Sequence, residues 1–128
     1  MSYTTGDVLF DTKLAGKDQT QLADFSTGTE DPNPIHLDRD FAAAAGFKDL
    51  LQQGPMTTAH FARLLASKVG QDNLRWLDVS FTAPVFVGEE LRIRAEVTGL
   101  EEGVFTCALT AEKTDGTMTA RAEAGFEG

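Results

Sequence analysis

Residues 91–111, LRIRAEVTGLEEGVFTCALTA, decide the fold class of this chain. Apolar and polar residues alternate over 91–98, and they alternate again over 105–111. A period of two residues is typical of a β-strand that buries one of its faces. Gly99 and Gly103, with Leu-Glu-Glu between them, indicate a turn. The stretch therefore predicts two antiparallel strands.

Further strands are predicted on both sides of this pair. Asp115-Gly116 is a strong hairpin signal, and it predicts that residues 118–126 return as the next strand. Residues 76–81 indicate another strand, which Pro84 closes. Strands that follow one another in this way predict an antiparallel meander.

One long helix is predicted before these strands. Residues 56–69 contain neither glycine nor proline, and they follow Gly54-Pro55, where a proline suits the first helical turn. Their apolar residues recur at helical spacing and form a face broad enough to lie on a sheet. Gly70 suits the end of this helix.

Two shorter helices are predicted nearer the start of the chain. One runs from Asp38 to Ala45 with Asp38 as its N-cap, and the other covers residues 18–27. Helices followed by consecutive strands indicate the α+β class. We expect the long helix to pack against a strongly curved antiparallel sheet.

Length and composition fit a single domain that spans residues 1–128. The net charge is −9, from 20 acidic and 11 basic residues, which disfavours nucleic-acid binding because that affinity depends on Lys and Arg. No apolar run reaches the roughly 18 residues of a membrane helix. The lone cysteine, Cys107, needs no oxidising compartment, and its apolar neighbours predict that it is buried. The first residues resemble no signal peptide, so we expect a cytoplasmic protein.

The segment most informative about chemistry is residues 29–38, TEDPNPIHLD. Its two prolines stiffen an irregular loop that brings Asp31 and His36 close together. A carboxylate and an imidazole held in this way can share one water, as general acid–base catalysis requires. Asn33 can satisfy backbone groups of the loop or orient a partner. The alternative is a purely structural turn, in which Asp31 caps a backbone amide and His36 is packed.

Three segments of the chain resemble one protein family. The pattern Asp-x-Asn-Pro-x-His over residues 31–36 resembles the signature of the MaoC-like, or hydratase-2, family of (R)-specific enoyl-CoA hydratases. Residues 41–47 and 53–56 are similar to the short helix and the start of the central helix in that family. Residues 81–89, FTAPVFVGE, are similar to its strand of the form F-x-x-P-V-x-x-G-D.

The resemblance implies a hot-dog fold, in which an antiparallel sheet wraps a long helix and two copies form a homodimer. It implies that Asp31 and His36 hold a water and add it across the double bond of a trans-2-enoyl thioester. The acyl group is carried by coenzyme A or by a carrier protein, and the product is an (R)-3-hydroxyacyl thioester. The Gly54 N–H matches the family's donor to the thioester oxyanion, at the positive end of the helix dipole.

The chain departs from the family pattern at several positions. Glu30 and Gln53 stand where many members have Gly and His. Some members carry a serine on the central helix that bonds the catalytic carboxylate, and this chain has Ala62 there. Thr58, one turn earlier on the same predicted face, is the candidate substitute.

His60 lies in the predicted long helix, where a single histidine is usually solvated or half-buried. The two histidines and the cysteine have no metal-ligand spacing, and no nucleotide-binding glycine motif or nucleophile elbow occurs. We expect neither a metal nor a cofactor.

Two arginines, Arg92 and Arg94, fall on the polar face of one predicted strand. They either lie solvated and paired with Glu96, or bind the phosphates of coenzyme A, within one chain or across a dimer. Equally open candidates for phosphate binding are Arg75, Lys113 and Arg121.

Three alternative functions differ from a hydratase in their products. A hot-dog thioesterase would release free thiol. A non-catalytic subunit of a heterodimeric 3-hydroxyacyl dehydratase would gain activity only with its partner. A plain acyl-thioester binding module would bind ligand without turnover.

Overall fold

A computed structural model describes residues 2–128 of the chain. The elements in chain order are β1 (Val8–Leu14), α1 (Gln19–Thr29), α2 (Arg39–Ala44), α3 (Gly54–Val69), β2 (Leu74–Phe81), β3 (Leu91–Glu101), β4 (Val104–Lys113) and β5 (Met118–Glu127). Short 3-10 turns occupy Pro34–His36 and Gln71–Asn73. All three helices and the strands expected from the sequence pattern are present, with α1 extending two residues beyond its predicted end.

The five strands form one antiparallel sheet in the order β1-β3-β4-β5-β2. The predicted meander is confirmed for β3, β4 and β5. It is wrong for β2, which pairs with β5 at the far edge instead of lying beside β3. Alternation of residues reveals a strand and its buried face, but not its neighbour, so the pattern could not place β2.

The β3–β4 turn is also shorter than expected. β3 continues through Gly99, with a shift in its pairing register after Val97. The turn therefore consists of only two residues, Glu102 and Gly103. Both turn residues have positive φ, +50° and +81°, which is the geometry of a two-residue hairpin loop. The glycine at 103 adopts this conformation without steric cost.

The core lies between α3 and the sheet. Phe61 and Leu65 of α3 are fully buried against the sheet's inner face, and Val69 joins them. The inner face of β4 and β5 combines the larger Phe105, Leu109 and Phe126 with four alanines; these are Ala111, Ala120, Ala122 and Ala124. A long helix wrapped by an antiparallel sheet confirms the expected α+β hot-dog fold.

Residues 15–53 form a segment outside the sheet, and they carry α1 and α2. Asp18 caps α1 in a capping box with Gln21, and Asp38 caps α2 as predicted. A second apolar cluster, Leu22, Leu50 and Met56, packs α1 against the start of α3. This packing brings the loop after α1 next to the first turn of α3. Within residues 2–128, no helix is both long and apolar enough to cross a membrane.

Candidate active site

The loop that carries Asp31 is anchored to the end of α1. Glu30 closes the helix in a left-handed conformation, with φ of +55°. The Asp31 N–H then donates to the Ser26 carbonyl at 2.9 Å. The backbone position of Asp31 therefore follows the last turn of α1.

Asn33 shapes this loop from within. Its N–H donates to Asp31 Oδ1 at 3.3 Å, and its own Oδ1 accepts from the Ile35 N–H at 3.2 Å. These bonds start the 3-10 turn that presents His36. The side chain of Asn33 is exposed and is used in building the loop, which was one of the two roles expected for it.

His36 is buried, and its ring orientation is fixed by one strong contact. Nδ1 lies 2.7 Å from the Leu51 carbonyl, and the Leu51 N–H donates back to the Ile35 carbonyl at 3.1 Å. Because a carbonyl can only accept, Nδ1 carries the proton in the neutral ring. The lone pair is then on Nε2, which faces Asp31.

Asp31 Oδ2 and His36 Nε2 are 3.8 Å apart. This distance is too long for a direct hydrogen bond, yet one water can donate to both atoms. The Asp31 side chain is 47% exposed and that of His36 only 10%. Asp31 therefore lies on the solvent side of the pair, and His36 lies on its buried side. Two acceptors on one water can activate it as a nucleophile.

A cavity of about 380 Å³ opens beside His36. Its polar side chains come from the 3-10 turn, the start of α3 and β5; they are His36, Gln52, Gln53, Thr57 and Thr119. Gly54 and Phe81 also line it. The cavity therefore connects His36 with the N-terminal end of α3, whereas Asp31 lies outside its lining and reaches the site through His36.

Gly54 presents a free backbone donor in this cavity. It is the first residue of α3, and its N–H makes no hydrogen bond to any of residues 2–128. Pro55 has no N–H, and the Met56 N–H already donates to the Gln53 carbonyl at 3.1 Å. A free N–H at the positive end of a helix can stabilise a developing anion.

The similarity of this chain to known proteins agrees with that geometry. Residues 4–119 match the protein family described as MaoC like domain. The chain belongs to the MaoC-like family. It is accordingly a hydro-lyase, of the hydratase and dehydratase type.

Individual relatives of this MaoC-like chain support the assignment. An (R)-specific enoyl-CoA hydratase of Aeromonas caviae is 36% identical over 92 residues, which cover 70% of this chain and 69% of the relative. The solved structure of the A. caviae (R)-hydratase involved in PHA biosynthesis has a TM-score of 0.85 at 28% identity, covering 98% and 97% of the two chains. A chain of the ChsH1–ChsH2 complex from Mycobacterium tuberculosis shares the fold, with a TM-score of 0.87, 24% identity and 98% coverage of both chains.

Thr57, and not Thr58, lines the cavity of this MaoC-like protein. Thr57 is buried and its Oγ1 accepts from Gln52 Nε2 at 3.3 Å, whereas Thr58 is only half-buried and Ala62 lies outside the lining. The sequence analysis missed Thr57 and Gln52. Nothing in the sequence distinguishes these two polar residues from ordinary surface positions. The side chains of α3 that face the cavity are determined by how this helix packs on the sheet.

Arg92 and Arg94 do not line the cavity, and both have acidic partners. Arg92 donates to Asp11 at 2.6 and 2.8 Å and to Glu112 at 3.3 Å, and Arg94 donates to Glu96 at 3.2 Å. The bonds to Asp11 raise the pKa of Arg92, and the same pair lowers the pKa of Asp11. The expected pairing with Glu96 is confirmed for Arg94.

The other candidate cations divide into paired and unpaired groups. Arg75 pairs with Glu127, and Lys113 with Glu89 at 3.0 Å. Arg121 forms no ion pair within the described part of the chain. Phosphate binding by any of these side chains remains a prediction.

The pKa values of His60 and Cys107 are also shifted, for reasons unrelated to the Asp31–His36 pair. His60 is half-buried beside a groove between α1 and α3, and its pKa is lowered to about 4, first by burial and then by the charges of Lys17 and Arg63. Cys107 is buried as predicted, and burial raises the pKa of its thiol to about 11. No cluster of three metal-ligating side chains occurs in residues 2–128.

Proposed function

We propose that the chain catalyses the reversible hydration of a trans-2-enoyl-CoA to an (R)-3-hydroxyacyl-CoA. The observation that carries this proposal is the 3.8 Å separation of Asp31 Oδ2 and His36 Nε2, both of which are hydrogen-bond acceptors. Water is a weak nucleophile at neutral pH, so it needs such a pair to take its proton during attack. The (R)-specific hydratase relative adds support for the substrate class.

In the proposed reaction, the water oxygen forms a bond to C3 of the substrate while one acceptor of the pair takes a proton. The electrons of the double bond move toward the thioester carbonyl, whose oxygen gains enolate charge. The Gly54 N–H donates to that oxygen and stabilises the charge. The proton that the pair took from the water is then delivered to C2, so that H and OH are both added, the pair returns to its starting state and no other reactant is needed.

A second copy of the chain is part of the proposal. β2 is an edge strand, and no strand among residues 2–128 pairs with its outer side. Trp76 and Phe81 on this strand are 43% and 54% exposed. An exposed edge with large apolar side chains favours pairing with another chain, and we infer a homodimer. Sedimentation should then give twice the chain mass of 13.8 kDa.

The test of the proposed function is a hydration assay with crotonyl-CoA and purified protein. The expected result is loss of the enoyl absorbance, formation of the (R)-3-hydroxy product and no free thiol. Release of free thiol would instead identify a thioesterase. Absence of turnover with crotonyl-CoA, with a longer enoyl-CoA and with the carrier-protein thioester would overturn the proposal.

A cytoplasmic location of the protein also remains a prediction.

A further inference from the structure

Gln53 is a buried glutamine whose amide orientation is determined by its partners. Its side chain is 1% exposed, and Nε2 donates to the Leu22 carbonyl at 2.9 Å and to Ser26 Oγ at 2.8 Å. Because the Leu22 carbonyl can only accept, the nitrogen must point toward α1. Both amide protons of Gln53 are therefore used to hold α1.

These bonds connect the two halves of the candidate active site. Ser26, which accepts from Gln53, also offers its backbone carbonyl to the Asp31 N–H at 2.9 Å. On the other side, Gln53 is the N-cap of α3 and is covalently joined to Gly54. A short path thus runs from Asp31 through Ser26 and Gln53 to the proposed oxyanion donor.

The remaining polar atom of this amide is unsatisfied. Gln53 Oε1 is buried and has no hydrogen-bond partner among residues 2–128. A buried acceptor without a donor carries a desolvation cost, and such groups in native proteins require an explanation. The two bonds from Nε2 account for a glutamine here, because an apolar side chain of the same shape would leave the buried Ser26 Oγ without this donor. They fix α1 relative to the start of α3.

We propose that Gln53 is a positioning residue that sets the separation between the Asp31–His36 pair and the Gly54 N–H. This inference rests on the proposed function. The water attacks C3 while charge develops on the thioester oxygen of the same rigid conjugated system. The two protein groups must therefore match the distance between those atoms, and a displacement of about 1 Å can cost roughly a hundredfold in rate.

The first test compares Gln53→Met with the wild-type enzyme. Methionine keeps the length and volume of the side chain but donates no hydrogen bond. We expect kcat for crotonyl-CoA to fall at least tenfold while KM changes less than threefold. Gln53→His, which restores one N–H donor, should recover part of the lost kcat.

Ser26→Ala extends the test to the next residue on the path. It removes the Oγ acceptor but keeps the backbone carbonyl that holds Asp31. We expect a smaller loss of kcat, and the double variant should be no slower than Gln53→Met alone, because both changes break one path. If Gln53→Met does not fold, Ser26→Ala alone must still lower kcat without raising KM.

Asn73→Leu is the matched control at the opposite end of α3. The Asn73 amide donates to the Val69 carbonyl at 2.8 Å, so this variant also removes a side-chain amide bond to a helix. It should lower Tm and leave kcat unchanged. The proposal is overturned if folded Gln53→Met loses only Tm, as the control does, or if the losses from Gln53→Met and Ser26→Ala simply add.

Hydrogen exchange separates failure of this inference from failure of the proposed function. If the wild-type protein turns over no thioester, the proposed function fails. The Asp31 amide should still exchange faster in Gln53→Met than in the wild type, and not in Asn73→Leu. Equal protection of the Asp31 amide in all three proteins would show that Gln53 does not position it.

Discussion

The ring of Phe81 lies 3.1 Å from the point where a side-chain carbon would stand on Gly54. Phe81 is the last residue of β2, and Gly54 is the first residue of α3. The aromatic ring therefore lies against the Cα of the residue that offers the free N–H. Only a glycine at position 54 allows this approach without moving the ring.

Gly54→Ala is expected to lower turnover by about tenfold, although it keeps the N–H. The new methyl group would press on the Phe81 ring and displace either the ring or the helix start. The double variant Gly54→Ala with Phe81→Leu should recover part of the rate, because leucine lacks the ring atoms nearest Gly54. Steady-state kinetics on folded protein would measure both effects.

Gly28→Ala is the control for this substitution. Gly28 lies within α1 and has no atom within 4 Å of its added carbon. This variant should keep full turnover and gain up to about 1 kcal/mol of stability from helix propensity. If Gly54→Ala behaved in the same way as Gly28→Ala, the close approach of Phe81 would have no role in the site.

Asp31→Asn and His36→Ala should each lower turnover by roughly a hundredfold or more, as expected for general acid–base groups. Asp31→Asn keeps an oxygen that can accept from the Asn33 N–H, so the loop should retain its shape. Circular dichroism and Tm would check folding. Asp49→Asn, at an exposed ion pair with Arg39, is the control and should keep full activity. Near-normal rates in the folded Asp31 and His36 variants would remove the catalytic assignment.

Stability should fall on acidification because of His60. Its pKa is lowered to about 4 in the folded chain, below the usual value of 6.5. Between these values the unfolded chain binds a proton that the folded chain does not, so the free energy of unfolding rises with pH across this window. The charged side chains that line the same groove as His60 are Lys17, Arg63 and Asp24.

His60→Gln should flatten this part of the pH dependence. Urea unfolding of both proteins at pH 7, 5.5 and 4.5 would measure it, and the difference between them isolates His60 from the carboxyl groups that both retain. A wild-type curve that stayed parallel to that of His60→Gln would contradict the lowered pKa.

Arg92→Gln distinguishes the two roles considered for the arginines of β3. Because Asp11 and Glu112 already satisfy Arg92, we expect KM for an acyl-CoA to remain unchanged. Stability should change little, since the ion pairs are exposed. A severalfold rise in KM for the CoA thioester, absent for the pantetheine thioester, would instead assign Arg92 to the CoA phosphates.

The parts of the site that are close in sequence could be predicted, and the parts assembled by packing could not. Asp31 and His36 are five residues apart in a loop stiffened by proline, so their proximity followed from the chain itself. Gly54 followed from the helix start at Pro55. Thr57 was missed because the side of α3 that faces the cavity depends on how Phe61 packs against the sheet.

The same limit applies to contacts distant in sequence. Arg92 and Asp11 are 81 residues apart, and they meet because β1 pairs with β3. No local pattern contains that pairing, just as none placed β2 beside β5. The fold class was accessible because it requires only the identity of the elements, and not their order across the sheet.

The segment between β1 and α3 contributes no strand to the sheet, yet it carries both Asp31 and His36. The Asp31–His36 pair and the strands of the sheet are thus encoded in different stretches of the chain. Residues 15–53 could be exchanged for those of a relative, provided that Leu22 and Leu50 still meet Met56 and that the backbone bonds to Val85, Val87 and Gly88 are kept. Such a chimaera would keep every strand register while acquiring a new reaction loop, so the protein is suited to redesign by segment grafting.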